Sequence, residues 1–263
     1  MTYHYVVFEQ RNAIAYIELN RPQKLNSLSE QVVHELLDVF NCIKADRSVR
    51  AVLLFARGKA FSAGFDMGVD AEGSDAIPTD VDAILERAVN PLMRAIRSLD
   101  RPVVCAVNGV AIGAGAALAL SCDIVLAARS ASFVQLFSKV GLGMDAGSSY
   151  LLPRMIGEAR AKGLALLARP LRAEQAEQWG LIWGCVDDDQ LLSDATELVT
   201  HLAASATQAL AVVKEELQVS LDNDFNTQLS LETRSAMALV HTADYREAVT
   251  AFREKRKPIF TGR

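Results

Sequence analysis

Cysteine is scarce in this sequence, and neither sign of charge is in large excess. The four cysteines lie far apart, form no C-x-x-C pair and do not cluster with the four histidines. This spacing argues against a disulfide framework or a zinc site and favours a reducing cytoplasm. With 27 basic and 32 acidic residues and a net charge of -5, the chain has no basic excess to displace counterions from phosphates. We therefore expect no nucleic-acid partner.

Long hydrophobic runs are also absent. The most apolar stretch, residues 110–120, has 11 residues and contains two glycines. A membrane-spanning helix needs roughly 20 apolar residues, and the N-terminal residues lack the basic and apolar regions of a signal peptide. Hydrophobic residues nevertheless make up 51% of the chain and charged residues 22%, which is typical of a globular protein with a substantial core. We expect a cytoplasmic protein with no membrane partner.

What the sequence does contain is an alternation of strand and helix patterns. Apolar and β-branched runs predict strands over residues 3–9, 13–19, 51–56, 103–107, 123–127 and 181–186, the first two forming a hairpin. A capping box from Ser27 to Glu30 predicts a helix that ends near Ala45. Further helices are predicted over residues 79–99, 191–203, 207–221, 224–241 and 244–255, and a loop over residues 69–79.

Strands that are separated by crossover helices favour a mostly parallel α/β core. The helical patterns of the last quarter favour a C-terminal subdomain. The predicted organisation is therefore a core of residues 1–200 followed by a helical region of residues 201–263.

Two loops of small residues follow predicted buried strands. GKAFSAGFD (residues 58–66) follows the third strand, and NGVAIGAGAA (residues 108–117) follows the fourth and opens a helix. Small residues let a ligand approach the backbone, and the first N–H groups of a helix are free. Two such loops side by side could direct two amides at one carbonyl oxygen, which is an oxyanion hole. Alternatively, Gly113 and Gly115 only permit tight helix packing; a dinucleotide loop is excluded because G-x-G-x-x-G is incomplete.

Seven stretches occur in order over nearly the whole chain: NRPQKLNSL (20–28), AFSAGFD (60–66), RPVVCAVNG (101–109), CDIV (122–125), LPR (152–154), GL (180–181) and AFREKRKP (251–258). Together they resemble the enoyl-CoA hydratase/isomerase (crotonase) superfamily. The resemblance implies a crotonase-type α/β fold, a spiral of β-β-α units with a C-terminal helical subdomain. It also implies a homotrimer, since the helical region serves trimer formation in the family, and many members pair trimers into hexamers.

The resemblance also implies a site. The oxyanion hole would consist of the backbone N–H groups of Phe65 and Ala114, which would make both residues catalytic. The acyl-CoA substrate would lie along Lys24, Leu25, Ala63, Asp66, Met67, Val110, Phe137 and Val140. No metal or cofactor is implied, because coenzyme A is part of the substrate and the amides serve as the electrophile.

Two carboxylates expected in this family are missing. Hydratases of the family use two glutamates, and the corresponding positions here are Ala117 and Phe137. Water addition needs one group to activate water and another to handle the carbon-bound proton, so a standard hydratase mechanism lacks its groups. Asp145 stands where hydratases usually have glycine, and isomerases of the family place an acid there. The resemblance thus assigns acid/base catalysis to Asp145. The alternative is that Asp145 only caps the following helix.

Within the family, further stretches resemble the isomerases that convert ring-1,2-epoxyphenylacetyl-CoA to its oxepin, including VNPL (89–92), FSKVGL (137–142), GLIW (180–183) and ADYREAVTAF (243–252). Those enzymes usually have Pro-Asp-x-Gly-Gly around the aspartate, whereas this chain has Met144-Asp145-Ala146-Gly147-Ser148. The expected activity is therefore acyl-CoA isomerisation, by epoxide rearrangement or by a double-bond shift.

Three alternatives stay open. One is a hydratase-like enzyme. Another is a 4-halobenzoyl-CoA dehalogenase, which needs a histidine where this chain has Asn90. The last is a non-catalytic acyl-CoA-binding protein on the same fold.

Overall fold

The computed structural model describes residues 3–66 and 81–263. The predicted loop at residues 69–79, the predicted helix start at Thr79 and the predicted substrate contact Met67 lie outside these ranges.

A six-stranded sheet forms one layer of the core. Its strands are β1 (Val6–Arg11), β2 (Ile14–Leu19), β3 (Ala51–Ala56), β5 (Val103–Val107), β7 (Ile124–Ala128) and β10 (Gly184–Val186), adjacent in that order. The β1–β2 hairpin is antiparallel, and every later pair is parallel. Strands β2, β3, β5 and β7 lie within one residue of the predicted runs, because a strand buried on both faces is a continuous apolar stretch. Strand β1, in contrast, begins three residues and ends two residues later than predicted, and β10 is shorter than predicted.

A second, four-stranded sheet was not predicted. It consists of β4 (Ala60–Ser62), β6 (Val110–Ile112), β8 (Ser132–Val134) and β9 (Leu171–Arg172). The first three strands are parallel, and β9 runs antiparallel to β8. Each of β4, β6 and β8 follows a strand of the large sheet within a few residues, so the chain repeats a long strand and a short strand. Strands of two or three residues carry too little periodicity to be recognised.

Helices cover the sheets and form most of the last quarter of the chain. They are α1 (Glu30–Ala45), α2 (Val81–Ile84), α3 (Asn90–Arg97), α4 (Ala114–Leu120), α5 (Ser148–Ile156), α6 (Glu158–Leu167), α7 (Ala173–Gln178), α8 (Leu191–Ala203), α9 (Thr207–Val219), α10 (Phe225–Leu239) and α11 (Ala243–Glu254). A π-helical turn, Leu85–Val89, joins α2 to α3. The four C-terminal helices lie within two residues of their predicted bounds, since their amphipathic patterns and caps are local signals.

The predicted cap of α1 was wrong. The helix begins at Glu30, and its N-cap is Ser29, whose hydroxyl accepts a hydrogen bond from the Val32 N–H. Ser27 lies outside the helix, and its hydroxyl accepts from the Arg21 guanidinium at 2.9 Å. The Ser27 side chain is therefore used in a tertiary contact, and Ser29 occupies the capping position.

The main core lies between the large sheet and helices α1, α3 and α8. Helix α1 buries one apolar stripe at helical spacing, consisting of Val32, Val33, Leu36, Val39, Phe40 and Ile43. Each such side chain contributes about 1.5–3 kcal/mol on burial. Among the helices in the described ranges, none has both the length and the apolar character that crossing a membrane requires.

Candidate active site

The site is built on a turn that precedes α1. Pro22–Lys24 forms a 3-10 turn, and Leu25 and Asn26 follow it with positive φ. Asn26 is 2% exposed, and its amide donates to the carbonyls of Arg57 at 2.8 Å and Ala60 at 2.9 Å. This asparagine therefore fastens the turn to the first glycine loop.

Sequence reasoning missed the role of Asn26. The one local signal is its residue type, because asparagine tolerates positive φ better than most residues.

The Phe65 amide faces away from the neighbouring chain segment. Leu28 and Phe65 form an isolated parallel bridge, in which the Leu28 N–H donates to the Gly64 carbonyl at 2.7 Å and the Asp66 N–H donates to the Leu28 carbonyl at 3.1 Å. In a parallel bridge, one residue bonds with both its N–H and its C=O to the residues on either side of its partner. Here Leu28 makes both bonds, so the N–H and C=O of Phe65 point away from Leu28. The N–H of Phe65 is thus directed to the other side, where the second glycine loop lies.

Gly64 brings the two glycine loops into contact. Its φ is +89°, and a Cβ there would lie 2.6 Å from the Ile112 carbonyl oxygen and 3.8 Å from the Ala114 nitrogen. Only glycine permits this approach. The backbone just before Phe65 therefore packs against the backbone just before Ala114.

The Ala114 amide is the first of helix α4. Gly113 precedes it with φ +49°, and the Gly113 N–H donates to the Val134 carbonyl at 2.8 Å. The first N–H groups of a helix have no intrahelical acceptor. In the described part of the chain, no backbone hydrogen bond is recorded for the N–H of either Ala114 or Phe65. The two predicted amides therefore come from adjoining loops and are available to a ligand.

Tight packing of the second loop also occurs. A Cβ on Gly115 would lie 2.6 Å from the Ser62 hydroxyl oxygen, and one on Gly109 would lie 2.3 Å from the Lys59 carbonyl. The packing interpretation thus holds for Gly115, which lets α4 approach β4. The packing interpretation is compatible with an oxyanion hole, because close packing is what brings the two loops together.

Apolar groups occupy the positions of the two missing glutamates. Ala117 is fully buried inside α4, and Phe137 is 7% exposed. The Phe137 ring lies against Gly113, where a Cβ would be 3.5 Å from the ring. An aromatic ring therefore fills the space beside the start of α4, and neither position can transfer a proton.

Asp145 is the carboxyl group that the sequence predicts for proton transfer. It is half-buried, and its Oδ1 is shielded from solvent with no hydrogen-bond partner among the described residues. Burial raises the pKa of Asp145 from 3.8 to about 6, because an apolar environment disfavours the ionised form. A carboxyl that changes charge near neutral pH suits proton transfer.

The helix-cap alternative for Asp145 does not match the structure. The residue at the N-cap of α5 is Gly147, with φ +80°, and no side-chain cap hydrogen bond is present there. Asp145 contributes only its backbone carbonyl, which accepts from the Ser148 N–H at 2.9 Å. Its side chain is left for another purpose.

Two further buried polar side chains lie in the same segment and were missed. Both side-chain amide atoms of Gln135, which is 0% exposed, and the hydroxyl of Ser148, which is 1% exposed, lack partners among the described residues. Leaving a buried polar group unpaired costs about 1–3 kcal/mol. No pattern in the sequence distinguishes these residues from ordinary surface Gln and Ser.

The remaining predicted substrate contacts lie in three parts of the chain. Lys24, Leu25, Ala63 and Asp66 lie on the Asn26 turn and the first loop, where the Ala63 N–H donates to the Leu25 carbonyl at 2.9 Å. The Asp66 carboxylate forms an ion pair with Arg21, so it also holds the loop. Val110 begins β6, next to the second loop. Val140 ends the 3-10 turn Phe137–Val140 and is 43% exposed.

A cavity of about 410 Å³ lies at the other end of α4. Its walls include Leu120, Cys122 and Leu210, and the ion pair between Lys214 and Asp123 at 2.8 Å. Because Ala114 and Leu120 are the two ends of α4, this cavity is separate from the amides. In the described ranges, no three His, Cys, Asp or Glu residues are grouped so that they could hold a metal ion.

The fold and the site together define a class of α/β enzymes. In this class, paired β strands lead into two adjoining loops whose backbone amides are available to a ligand. The enoyl-CoA hydratase/isomerase family model matches residues 9–263, and the chain belongs to that family. It is therefore an enzyme with a crotonase-type fold, as the sequence predicted.

Individual relatives agree with this assignment. The chain is 44% identical over 262 residues to the 1,2-epoxyphenylacetyl-CoA isomerase of Escherichia coli (strain K12), covering 98% of this chain and 99% of the relative. It is 42% identical over 263 residues to a "Probable enoyl-CoA hydratase" of Rhodobacter capsulatus, covering 100% of both. The crystal structure of an enoyl-CoA hydratase from Bacillus anthracis superposes with a TM-score of 0.92 at 31% identity, covering 99% of this chain and 100% of that chain.

Proposed function

We propose that this enzyme isomerises acyl-CoA thioesters, converting ring-1,2-epoxyphenylacetyl-CoA to its oxepin, shifting an enoyl-CoA double bond, or both. The observation that carries the proposal is a single half-buried carboxyl, Asp145, with a pKa of about 6 and no partner for its Oδ1 among the described residues. In addition, the two positions at which hydratases have glutamate are occupied by Ala117 and Phe137, which cannot ionise. The 44% identity to an epoxyphenylacetyl-CoA isomerase supports the substrate.

In the proposed mechanism, the thioester carbonyl oxygen accepts hydrogen bonds from the N–H groups of Phe65 and Ala114. Removing a proton next to the carbonyl turns the thioester into an enolate, and negative charge develops on that oxygen. Two preorganised amides stabilise this charge more than they stabilise the neutral ground state. The backbone conformations at Gly64 and Gly113, both with positive φ, keep the two donors in position.

Asp145 is the acid/base group. In a double-bond shift, its carboxylate takes a proton from one carbon and returns it two carbons away, so the molecular formula of the substrate is unchanged. In the epoxide rearrangement, the carboxylic acid form donates a hydrogen bond to the epoxide oxygen while the ring C–C bond between the two epoxide carbons breaks. Both C–O bonds remain, so the oxepin has the same atoms as the epoxide and the acid keeps its proton. Neither reaction consumes water, which agrees with the apolar residues at Ala117 and Phe137.

The proposed assembly is a homotrimer, with pairing into hexamers as a further possibility to be measured. The proposed substrate contacts are those of the two loops and the Asn26 turn.

The test is the mass of the product formed by the unmodified protein. With ring-1,2-epoxyphenylacetyl-CoA and with a 3-enoyl-CoA ester, we expect products of unchanged mass. With crotonyl-CoA, we expect hydration at least several hundred-fold slower than isomerisation, because one general acid or base typically contributes 10²–10⁴-fold. Efficient gain of one water by crotonyl-CoA would show that the enzyme is a hydratase, and binding without turnover of any ester would show a non-catalytic protein.

A further inference from the structure

A tight turn links Asp145 to Ser148. The Ser148 N–H donates to the Asp145 carbonyl at 2.9 Å, and both intervening residues have positive φ, Ala146 at 50° and Gly147 at 80°. A four-residue turn of this kind brings its first and last Cα atoms within about 7 Å. The side chains of Asp145 and Ser148 therefore start from neighbouring positions.

The turn holds a conformation that its residues do not favour. Ala146 is 2% exposed and carries a Cβ, so positive φ is unfavourable for it. Such backbone persists only where the surrounding structure requires it, and it is found disproportionately at ligand sites.

Both side chains of this turn present unpaired oxygens. The Ser148 hydroxyl, on a residue 1% exposed, and Asp145 Oδ1 are both shielded from solvent, and neither has a partner among the described residues. A serine hydroxyl both donates and accepts, whereas an ionised carboxylate only accepts. Ser148 thus adds a donor beside the proposed proton-transfer group.

We infer that Ser148 determines specificity by binding an oxygen atom on the acyl group of the substrate, so that the preferred acyl-CoA carries an epoxide or hydroxyl oxygen near its reacting carbons. This inference rests on the proposed function for the location of the acyl group. A purely hydrocarbon enoyl group would leave the Ser148 hydroxyl unpaired on binding, and a site that hydrogen-bonds a substrate oxygen discriminates against analogues that lack it.

The first test is turnover by Ser148→Ala and Ser148→Gly, with Ser149→Ala as the matched control, since Ser149 is the exposed neighbour on the same helix. We expect kcat/KM for ring-1,2-epoxyphenylacetyl-CoA to fall about 10-fold in both Ser148 variants. We expect the double-bond shift of trans-3-hexenoyl-CoA to change less than about twofold, and the control to change neither rate. Equal losses for both esters would mean a structural role, and no loss for either would mean that a buried water satisfies the hydroxyl; each result overturns the inference.

The second test is binding, which does not depend on turnover. Calorimetry would compare phenylacetyl-CoA with 2-hydroxyphenylacetyl-CoA, neither of which has an epoxide to open. We expect wild type to bind the hydroxylated ester more tightly and Ser148→Ala to lose about 3- to 10-fold of that affinity, with phenylacetyl-CoA unaffected. If no ester is turned over but this difference is found, the proposed reaction fails and the role of Ser148 stands. If the Ser148 variants do not fold, equal binding of the two esters by wild type overturns the inference.

Discussion

At the scale of single residues, the proposed chemistry depends on Asp145. Its carboxyl is half-buried and makes no helix cap, and the family resemblance assigns proton transfer to it. Everything else that would act on the thioester is backbone. Side-chain identity at Phe65 and Ala114 therefore matters less than the path of the chain through them.

Asp145→Asn should separate binding from chemistry. The amide keeps the size of the carboxyl but cannot exchange a proton, so we expect turnover to fall by about 10²-fold or more while acyl-CoA affinity is retained. Steady-state rates and calorimetric binding on the same preparation measure the two quantities. Near wild-type isomerase activity in this variant would remove Asp145 from the mechanism.

The pH dependence should distinguish the two candidate reactions. Burial raises the pKa of Asp145 to about 6, so the carboxylate dominates above that pH and the carboxylic acid below it. A double-bond shift begins with proton removal, and its kcat/KM should fall tenfold per pH unit below about 6. An epoxide opening assisted by the acid should instead fall above about 6. Profiles for both esters measure this, and a profile that is flat from pH 4.5 to 8 with each ester would contradict the role of Asp145.

At the scale of elements, the site depends on how closely two short strands and their loops approach. The second sheet contributes β4 and β6, which end immediately before the Phe65 and Ala114 loops. The contact between Gly64 and the Ile112 carbonyl is one of the close approaches in this arrangement. The amides are therefore positioned by backbone packing between loops that lie about fifty residues apart in the chain.

Gly64→Ala should remove activity through the backbone. A Cβ at Gly64 would lie 2.6 Å from a carbonyl oxygen, so the loops must separate, and φ of +89° adds strain. We expect a loss of about 2–4 kcal/mol in the free energy of unfolding and at least a 10²-fold loss of turnover. Denaturant unfolding and steady-state rates measure these.

The matched control is Gly157→Ala. Gly157 has φ of +77°, but nothing lies within 4 Å of the added Cβ. Its ψ of 158° lies in a region that is essentially restricted to glycine, so this variant should lose roughly 1–3 kcal/mol through backbone strain and keep its turnover. Equal effects in the two variants would mean that strain alone, and not loop contact, explains the loss at Gly64.

At the scale of the whole molecule, the C-terminal helices are fastened to the core and also present an apolar surface. Lys214 on α9 donates to Asp123 at 2.8 Å, and Arg50 donates to the Phe260 carbonyl at 2.9 Å. Large apolar side chains on or beside α9 to α11 nevertheless remain exposed, namely Leu217, Leu221, Phe225, Met237 and Phe252, from 66% to 85%. We expect these side chains to contact another chain, because large exposed apolar areas often mark protein–protein interfaces.

We expect trimers in solution, as the family resemblance implies. Sedimentation at micromolar concentration should give a species of three chains, because burying these side chains removes apolar area from water. Phe225→Lys combined with Met237→Lys should shift the protein toward monomer. Leu192→Lys, which changes an exposed apolar residue on α8, is the control and should leave the mass unchanged. A monomeric wild type at micromolar concentration would contradict the prediction.

The long elements and the family could be predicted from the amino-acid sequence. Strands such as Ala51–Ala56 and Val103–Val107 and the helix Leu191–Ala203 were predicted at their observed bounds, because apolar runs and helical periodicity are local properties. The missing glutamates at Ala117 and Phe137 and the presence of Asp145 were equally readable. These features favoured proton transfer by a single carboxyl, which stays a prediction.

The contacts that hold the site together, and the polar groups that remain unpaired, could not be predicted without the folded structure. The short second sheet, the choice of Ser29 over Ser27 as helix cap, and the Asn26 hydrogen bonds all depend on partners distant in sequence. The unpaired oxygens of Asp145 and Ser148 depend on burial by surrounding segments. Local sequence patterns indicate which secondary structure a segment prefers. Whether a buried polar group has a hydrogen-bond partner depends on neighbours that are distant in sequence, so it could not be predicted from local patterns.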